Sequence, residues 1–207
     1  LSFSFINNRI ANYPAALEQA SNSLILFRQA NSLDGMAQAY NNLGNIYDNM
    51  GNYQQSLHYY QKALEIHSSA NNKPGLATVY INLSIIYNKT NKQEEAENLL
   101  NKAIEIGKET KDNRLLAVAY GNIGLMHDNA GDYKKALEYY TMSLELKTEM
   151  GDRHSIMISE VNIANTYLKL SQLTQALDHI NTAIKIGNEL GAKRELIDAF
   201  DIQSQIY

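Results

Sequence analysis

Cysteine is absent from the 207-residue sequence, so the chain can form no disulfide bond and carries no thiolate for catalysis or metal binding. Its absence is compatible with both the cytoplasm and the periplasm, and we favour the cytoplasm. Proline occurs only twice, at Pro14 and Pro74, and the glycines are scattered, so no flexible linker divides the chain. We therefore expect a single domain over residues 1–207.

Long apolar runs and clusters of basic residues are also missing. No uninterrupted apolar stretch approaches the roughly 20 residues that a membrane-spanning helix needs, so we expect no direct membrane insertion. The formal net charge of −4 argues against a surface that follows the backbone of DNA or RNA. The histidines lie at unrelated offsets and no glycine-rich phosphate loop occurs, so we expect no metal site, no cofactor and no enzyme activity.

A pattern with a period of about 40 residues dominates the sequence. An aromatic or imidazole side chain recurs at Tyr47, Tyr87, His127, Tyr167 and Tyr207. Small residues precede that column at Gly44, Ser84, Gly124, Ala164 and Ser204. Within one repeat the apolar residues fall at helical spacings, as in Tyr40, Leu43 and Tyr47. Each repeat is therefore predicted to form two α-helices.

Glycine and asparagine mark the joints between these helices. Gly51 and Gly131 suit the left-handed conformation that ends a helix, and Asn52 and Asp132 suit the cap of the helix that follows. Lys111 occupies such a joint although lysine has a side chain that disfavours the conformation. We expect local strain or a longer helix there.

The segment Ala39–Tyr47, followed by Gly51, Tyr53 and Tyr60, resembles the signature of the tetratricopeptide repeat family. The length of the unit is similar to that of the long subclass found in kinesin light chains, spindle-orientation adaptors and quorum-sensing Rap regulators. The asparagine-, lysine- and isoleucine-rich composition resembles the tetratricopeptide regions of bacterial sensor kinases. One departure is Glu160, which replaces the family's early aromatic residue and argues against tight packing at the fourth helix pair.

The resemblance implies an all-α fold, a right-handed superhelical solenoid of tetratricopeptide-like helix pairs. The complete repeats are predicted at residues 33–72, 73–112, 113–152 and 153–192, with partial units at 1–32 and 193–207. Counting back along the repeat places residues 1–10 in the tail of a first helix. Because neither end carries a polar capping repeat, we expect the chain to be a fragment of a longer protein.

An asparagine recurs on the stripe opposite the core in the first helix of each repeat, at Asn42, Asn82, Asn122 and Asn162. A side-chain amide both donates and accepts a hydrogen bond, so this ladder suits the backbone of an extended peptide. In the long subclass the matching asparagines line a peptide groove, which is what the resemblance implies here. The alternative is that these amides bond to nearby helix carbonyls or face water.

Other residues on this stripe flank the ladder and are expected to set sequence preference. They are Gln38, Asn45, Asn49, Thr78, Ile85, Lys89, Val118, Leu125, Asn129, Ile158, Asn165 and Lys169. The aliphatic members suggest a pocket for apolar side chains. The equally weighted alternative is that Val118, Leu125 and Ile158 pack between adjacent first helices.

The leading hypothesis is a non-catalytic module of a larger signalling protein that binds a protein or peptide segment in the groove. One alternative is a self-association module that forms homo-oligomers through its ends or its groove. Another is a regulatory region for a catalytic domain, such as a histidine kinase, that lies outside this sequence.

Overall fold

The computed structural model describes residues 13–207, which form ten α-helices and no strand within that range. The helices are α1 (Tyr13–Gln29), α2 (Leu33–Asn49), α3 (Tyr53–Ser69), α4 (Lys73–Lys89), α5 (Gln93–Thr110), α6 (Asn113–Asn129), α7 (Tyr133–Glu149), α8 (Arg153–Lys169), α9 (Leu173–Leu190) and α10 (Lys193–Ile206). The predicted all-α architecture of helix pairs is therefore confirmed. The helix tail predicted for residues 1–10 lies outside the described residues.

The chain forms two compact units, Leu1–Ile106 and Gly107–Tyr207, which we call the N-terminal and C-terminal units. In the N-terminal unit, α1 to α4 pack in sequence and α2 also contacts α4. In the C-terminal unit, α6 to α10 pack in sequence and α8 also contacts α10. The domain bounds predicted from the sequence stay a prediction. Among the described helices, none combines the length and the apolar character needed to cross a membrane.

A residue in the left-handed conformation follows each of the helices α1 to α9, once in every half repeat. These residues are Asn31, Gly51, Asn71, Asn91, Lys111, Gly131, Gly151, Ser171 and Gly191. The unusual joint at Lys111 has φ = 54° and follows α5, which at 18 residues is one residue longer than α4. The chain therefore keeps one joint geometry even where the residue disfavours it.

A polar side chain caps most of the helices that follow these joints. It accepts a hydrogen bond from the backbone N–H three residues later at Ser32, Asn52, Asn72, Asp112, Asp132 and Asp152. The predicted caps at Asn52 and Asp132 are thus confirmed. Hydrogen bonds from Ser155 hold the pKa of the Asp152 carboxyl below its usual value. Caps of this kind fix where each helix begins.

The helices of two pairs approach closely because a glycine on one faces a tyrosine ring on the other. A Cβ atom placed on Gly124 would lie 2.6 Å from Cδ1 of Tyr140, and Gly44 faces Tyr60 in the same way. Both tyrosines are buried, and burial raises the pKa of Tyr60 to about 12. The small residue at this position is therefore a steric requirement of the ring.

The neighbouring repeats solve the same packing problem with a different pair of residues. The position of the buried ring is Tyr60 and Tyr140 in one kind of repeat. In the other kind it is Leu100 and Ile180. The glycine is replaced accordingly by Ser84 and Ala164. Ala164 and Ile180 lie in one buried cluster, so a slimmer side chain makes room for the extra methyl group. The chain thus alternates between two kinds of repeat, so the sequence has a second, longer period of two repeats.

Glu160, which replaces an aromatic residue, is accommodated by a compensating change in the adjacent helix. In two of the other repeats a ring at this position packs against a tyrosine, as Tyr40 stacks on Tyr59 with ring centres 6.2 Å apart. Here the buried Glu160 lies with Oε2 2.6 Å from Nδ1 of His179, which replaces that tyrosine. His179 in turn stacks on Tyr167 at 5.4 Å. An ion-paired or hydrogen-bonded contact therefore fills the place of the ring pair, contrary to the expectation of loose packing.

We predict that Gly124→Ala lowers the free energy of unfolding by about 1–3 kcal/mol, because the new methyl group overlaps the Tyr140 ring. Adding Tyr140→Ile should recover part of that loss, since the pair then matches Ala164 and Ile180 of the next repeat. Urea unfolding of the wild type, both single variants and the double variant gives the coupling free energy. If the changes in the free energy of unfolding of the two single variants simply add in the double variant, Gly124 is not required by the Tyr140 ring.

Candidate binding face

The residues predicted to line a groove lie on α2, α4, α6 and α8, the first helices of the four repeats. We call the stripe that they form on each helix the first-helix face. None of the sixteen predicted residues is buried. The two units differ in how these side chains are engaged, and each unit is described by itself.

In the N-terminal unit, two of the predicted amides are already engaged within the fold. Nδ2 of Asn82 donates to Oδ1 of Asn41 at 2.8 Å, which ties α4 to α2. Oδ1 of Asn45 accepts from the hydroxyl of Tyr60 at 2.7 Å. No hydrogen bond to the side chain of Asn42 occurs among the described residues, and this side chain is exposed. The amides of this unit are thus not equivalent.

Lys89, a predicted groove residue, forms an ion pair with a residue of the preceding repeat. Nζ of Lys89 lies 2.6 Å and 2.8 Å from the two carboxylate oxygens of Asp48. The same ammonium group stands 5.9 Å from the centre of the Tyr53 ring. The lysine therefore joins the end of α4 to the end of α2 and to the start of α3.

The C-terminal unit contains the same arrangement two repeats later in the sequence. Lys169 forms an ion pair with Asp128 and lies 5.6 Å from the centre of the Tyr133 ring. Thr166 adds a hydrogen bond to Asp128 at 3.1 Å. The Asp128 side chain is 7% exposed, against 16% for Asp48, so its charge depends more on these partners.

The two aspartates were not among the residues predicted from the repeat columns, although the sequence contains a signal for them. The two partners are 41 residues apart, one position beyond the repeat length, so they belong to different columns. Comparison of each repeat with the second one after it would have shown that acid, tyrosine and lysine recur together.

The first-helix face of the C-terminal unit exposes three aliphatic side chains. The exposed fraction is 43% for Val118, 42% for Leu125 and 40% for Ile158. Nδ2 of Asn122 donates to the carbonyl of Val118 in its own helix at 2.9 Å. The amide of Asn162 has no hydrogen-bond partner among the described residues. This face therefore presents apolar surface beside an available amide.

The N-terminal unit instead has a pocket of about 260 Å³ between α2 and α4, with several polar side chains in its wall. Its wall includes the predicted residues Gln38 and Thr78. Nε2 of Gln38 donates to Oδ2 of Asp34 at 2.7 Å, and the Thr78 hydroxyl donates to the carbonyl of Pro74 at 3.0 Å. This pocket offers polar contacts where the C-terminal unit offers aliphatic ones.

Amides, hydroxyls and aliphatic groups predominate on both faces. These groups can hold a polypeptide, but they are weak nucleophiles and weak acids. Between residues 13 and 207, no three His, Asp or Glu side chains are grouped closely enough to hold a metal ion. His127, which stands in the aromatic column, stacks on Tyr139 with ring centres 5.7 Å apart.

Comparison with known sequences gives matches to one family. A family model described as tetratricopeptide repeat matches residues 35–109, and a second model with the same description matches residues 117–147. No curated protein sequence matches the chain.

Solved structures share the fold at low sequence identity. A Rap protein complexed with competence and sporulation factor aligns with a TM-score of 0.85 and 17% identity, over 94% of this chain and 55% of that chain. Aspartyl phosphate phosphatase F from Bacillus subtilis gives 0.78 and 15%, over 95% and 56%. BtubC from P. vanneervenii gives 0.68 and 19%, over 89% and 92%. The chain thus spans about half the length of the first two proteins.

We predict that Lys169→Met lowers the free energy of unfolding by about 2–3 kcal/mol, because it leaves the buried Asp128 carboxylate without its charge partner. Lys89→Met provides the matched control and should cost less than about 1 kcal/mol, since Asp48 is closer to water. Urea unfolding of the two variants measures the difference. Equal losses would show that the burial of the aspartate does not decide the strength of the contact.

We also predict different roles for two of the ladder amides. Asn82→Ala should lower the free energy of unfolding by about 1 kcal/mol, because it removes a hydrogen bond between helices. Asn122→Ala should leave it nearly unchanged, since the lost bond lies within one helix and alanine favours helix. Thermal unfolding with circular dichroism separates the two variants, and a greater loss for Asn122→Ala would contradict the assignment.

Proposed function

The chain belongs to the tetratricopeptide repeat family, and from that premise we propose that it holds a segment of another polypeptide against its first-helix face. Its fold is that of a protein-interaction scaffold. The observation that carries the proposal is the exposure of Val118, Leu125 and Ile158 on that face of the C-terminal unit. These side chains form the main recognition surface.

The placement of the three residues suits an extended or helical segment. Val118 and Ile158 occupy the same position in successive repeats, and α6 and α8 are joined by the bonds of Asp128. A partner that runs across both helices covers both side chains and removes them from water, which stabilises the complex by roughly 25 cal/mol for each Å² of apolar surface. Asn162 supplies an amide for the backbone of that partner.

Likeness to a solved complex supports a polypeptide as the ligand. The Rap protein that aligns with 94% of this chain was solved with competence and sporulation factor. Aliphatic side chains beside an amide suit a peptide better than they suit a sugar or a phosphate, since those ligands require more hydrogen-bond donors. The proposed partner is therefore a peptide segment that carries aliphatic side chains.

The proposed role is non-catalytic and belongs to signalling within a longer protein. The exposed groups on the first-helix faces bind and position but do not perform acid–base or nucleophilic chemistry. A module that captures a polypeptide can alter the activity of a domain attached to it. The similar Rap and phosphatase structures are longer than this chain, which is consistent with such an arrangement.

A selection from a displayed library of random peptides tests the proposal. Peptides with aliphatic residues should be enriched on the wild-type chain, and fluorescence anisotropy of the selected peptides gives their dissociation constants. The double variant Val118→Ser, Ile158→Ser should weaken binding at least about tenfold, which corresponds to about 1.4 kcal/mol. Asn162→Ala should weaken it by a smaller factor, because one backbone hydrogen bond is lost.

The matched control removes exposed apolar side chains from the second helices of the same unit. Met142 on α7 and Leu173 on α9 are 40% and 47% exposed, so Met142→Ser, Leu173→Ser makes a comparable change elsewhere. Binding that weakens equally in both double variants would place the recognition surface outside the first-helix face. Enrichment of no peptide, together with a molar mass that rises with protein concentration, would favour self-association instead.

A further inference from the structure

The pocket of the N-terminal unit contains a buried side chain without a hydrogen-bond partner among the described residues. His67 is 6% exposed and its imidazole ring lines the pocket. Among the described residues, neither ring nitrogen has a hydrogen-bond partner. These nitrogens are not among the side-chain atoms that the described structure buries without a partner, so they face the space of the pocket, where they can bond to a ligand.

Gly75 makes room for this ring in the wall of the pocket. A Cβ atom at Gly75 would overlap the imidazole, so the histidine can take its position only against a glycine. The preceding repeat has the same arrangement with Phe27 against Gly35. Packing alone is therefore satisfied by phenylalanine, and the histidine adds polar atoms at a site where the fold does not require them.

The charge of the pocket favours a cationic ligand. Among the lining side chains, only Asp34 carries a formal charge whatever the protonation state of His67. Because the NH₂ group of Gln38 donates to Asp34, the Gln38 carbonyl oxygen is left to accept. The hydroxyl proton of Thr78 is likewise used on Pro74, which leaves the oxygen lone pairs available.

The start of α4, which also borders the pocket, has few donors left for an anion. Pro74 has no backbone N–H. The N–H of Gly75 donates to Oδ1 of Asn72, and the N–H of Leu76 donates to the Asn72 carbonyl. The usual anion-binding property of a helix N-terminus is therefore reduced here.

We propose that this pocket binds the guanidinium group of an arginine side chain in the bound polypeptide, with Asp34 as the charge partner and His67 as a buried contact. The statement that the arginine belongs to a bound polypeptide rests on the function proposed above. The preference of the pocket for a guanidinium group does not depend on that function. A planar guanidinium has five N–H donors, which match the acceptors on Asp34, Gln38 and Thr78. The volume of about 260 Å³ far exceeds the roughly 30 Å³ of one water molecule, so a side-chain end fits.

Titration with capped amino acids tests this proposal on the intact chain. The probe is N-acetyl-arginine amide, and N-acetyl-citrulline amide is its uncharged counterpart of nearly the same shape. The backbone amide signal of Gly75 in ¹H–¹⁵N NMR spectra reports binding in the pocket. We expect saturable shifts with arginine and a dissociation constant about threefold to fivefold lower than with citrulline, as an exposed ion pair allows.

Two variants assign the contacts. Asp34→Asn should abolish the preference for arginine over citrulline. Asp178→Asn, which makes the same charge change at an exposed position on α9, should preserve it. His67→Phe should keep the thermal unfolding midpoint within a few degrees, because Phe27 packs against Gly35 in this way. It should nevertheless weaken arginine binding at least about twofold through the loss of the ring nitrogens.

Equal affinity for arginine and citrulline, or an unchanged preference in Asp34→Asn, would overturn the proposal. Tighter binding of N-acetyl-glutamate amide would do the same and would identify the pocket as an anion site. Arginine binding without any selected peptide would leave the pocket standing while the proposed function fails. Selection of peptides together with no measurable arginine binding would leave the proposed function standing while the pocket proposal fails.

Discussion

The close approach of one helix to the ring of its neighbour is the constraint on which the rest of the structure depends. Tyr140 can be buried only because Gly124 has no side chain, and Ile180 tolerates a methyl group at Ala164. Large and small partners therefore change together from repeat to repeat. This match sets the distance between helices and hence which residues of the first helices stay outside the core. An amide or an aliphatic group on the outer stripe is available to a ligand because the opposite stripe is tightly packed.

A fixed joint carries this packing along the chain. The left-handed residue recurs in every half repeat whether it is glycine, asparagine, serine or lysine. A side chain at such a position costs about 1 kcal/mol, so Lys111 and Ser171 hold their conformation because packing on both sides requires it. Contacts one position beyond the repeat length, such as Lys169 with Asp128, then join successive first helices. The regular joints thus create the register in which those contacts can form.

The helix pairs, most joints and the caps at Asn52 and Asp132 could be predicted because they depend on residues close together in sequence. The partners of Lys89 and Asn82 could not, since these contacts depend on how successive repeats are offset. A column of identical asparagines suggested four equivalent groups. Equivalence fails because each amide responds to its neighbours. Asn82 meets Asn41, 41 positions earlier, whereas the residue at the same offset from Asn162 is Gly121, which offers no side chain. Sequence identity in a repeat therefore predicts position better than it predicts bonding.

Packing and recognition occupy different columns of the repeat, and this separation allows specificity to change without loss of the fold. At the exposed position shared by Gln38, Thr78, Val118 and Ile158, the side chains are polar in the N-terminal unit and aliphatic in the C-terminal unit. The fold does not require either chemistry there, because all four side chains are exposed. In the buried column, by contrast, a change at the glycine forces a change at the facing ring. Residues that differ between repeats without a compensating partner are therefore the ones free to encode a ligand, and on this chain they lie on the first-helix face.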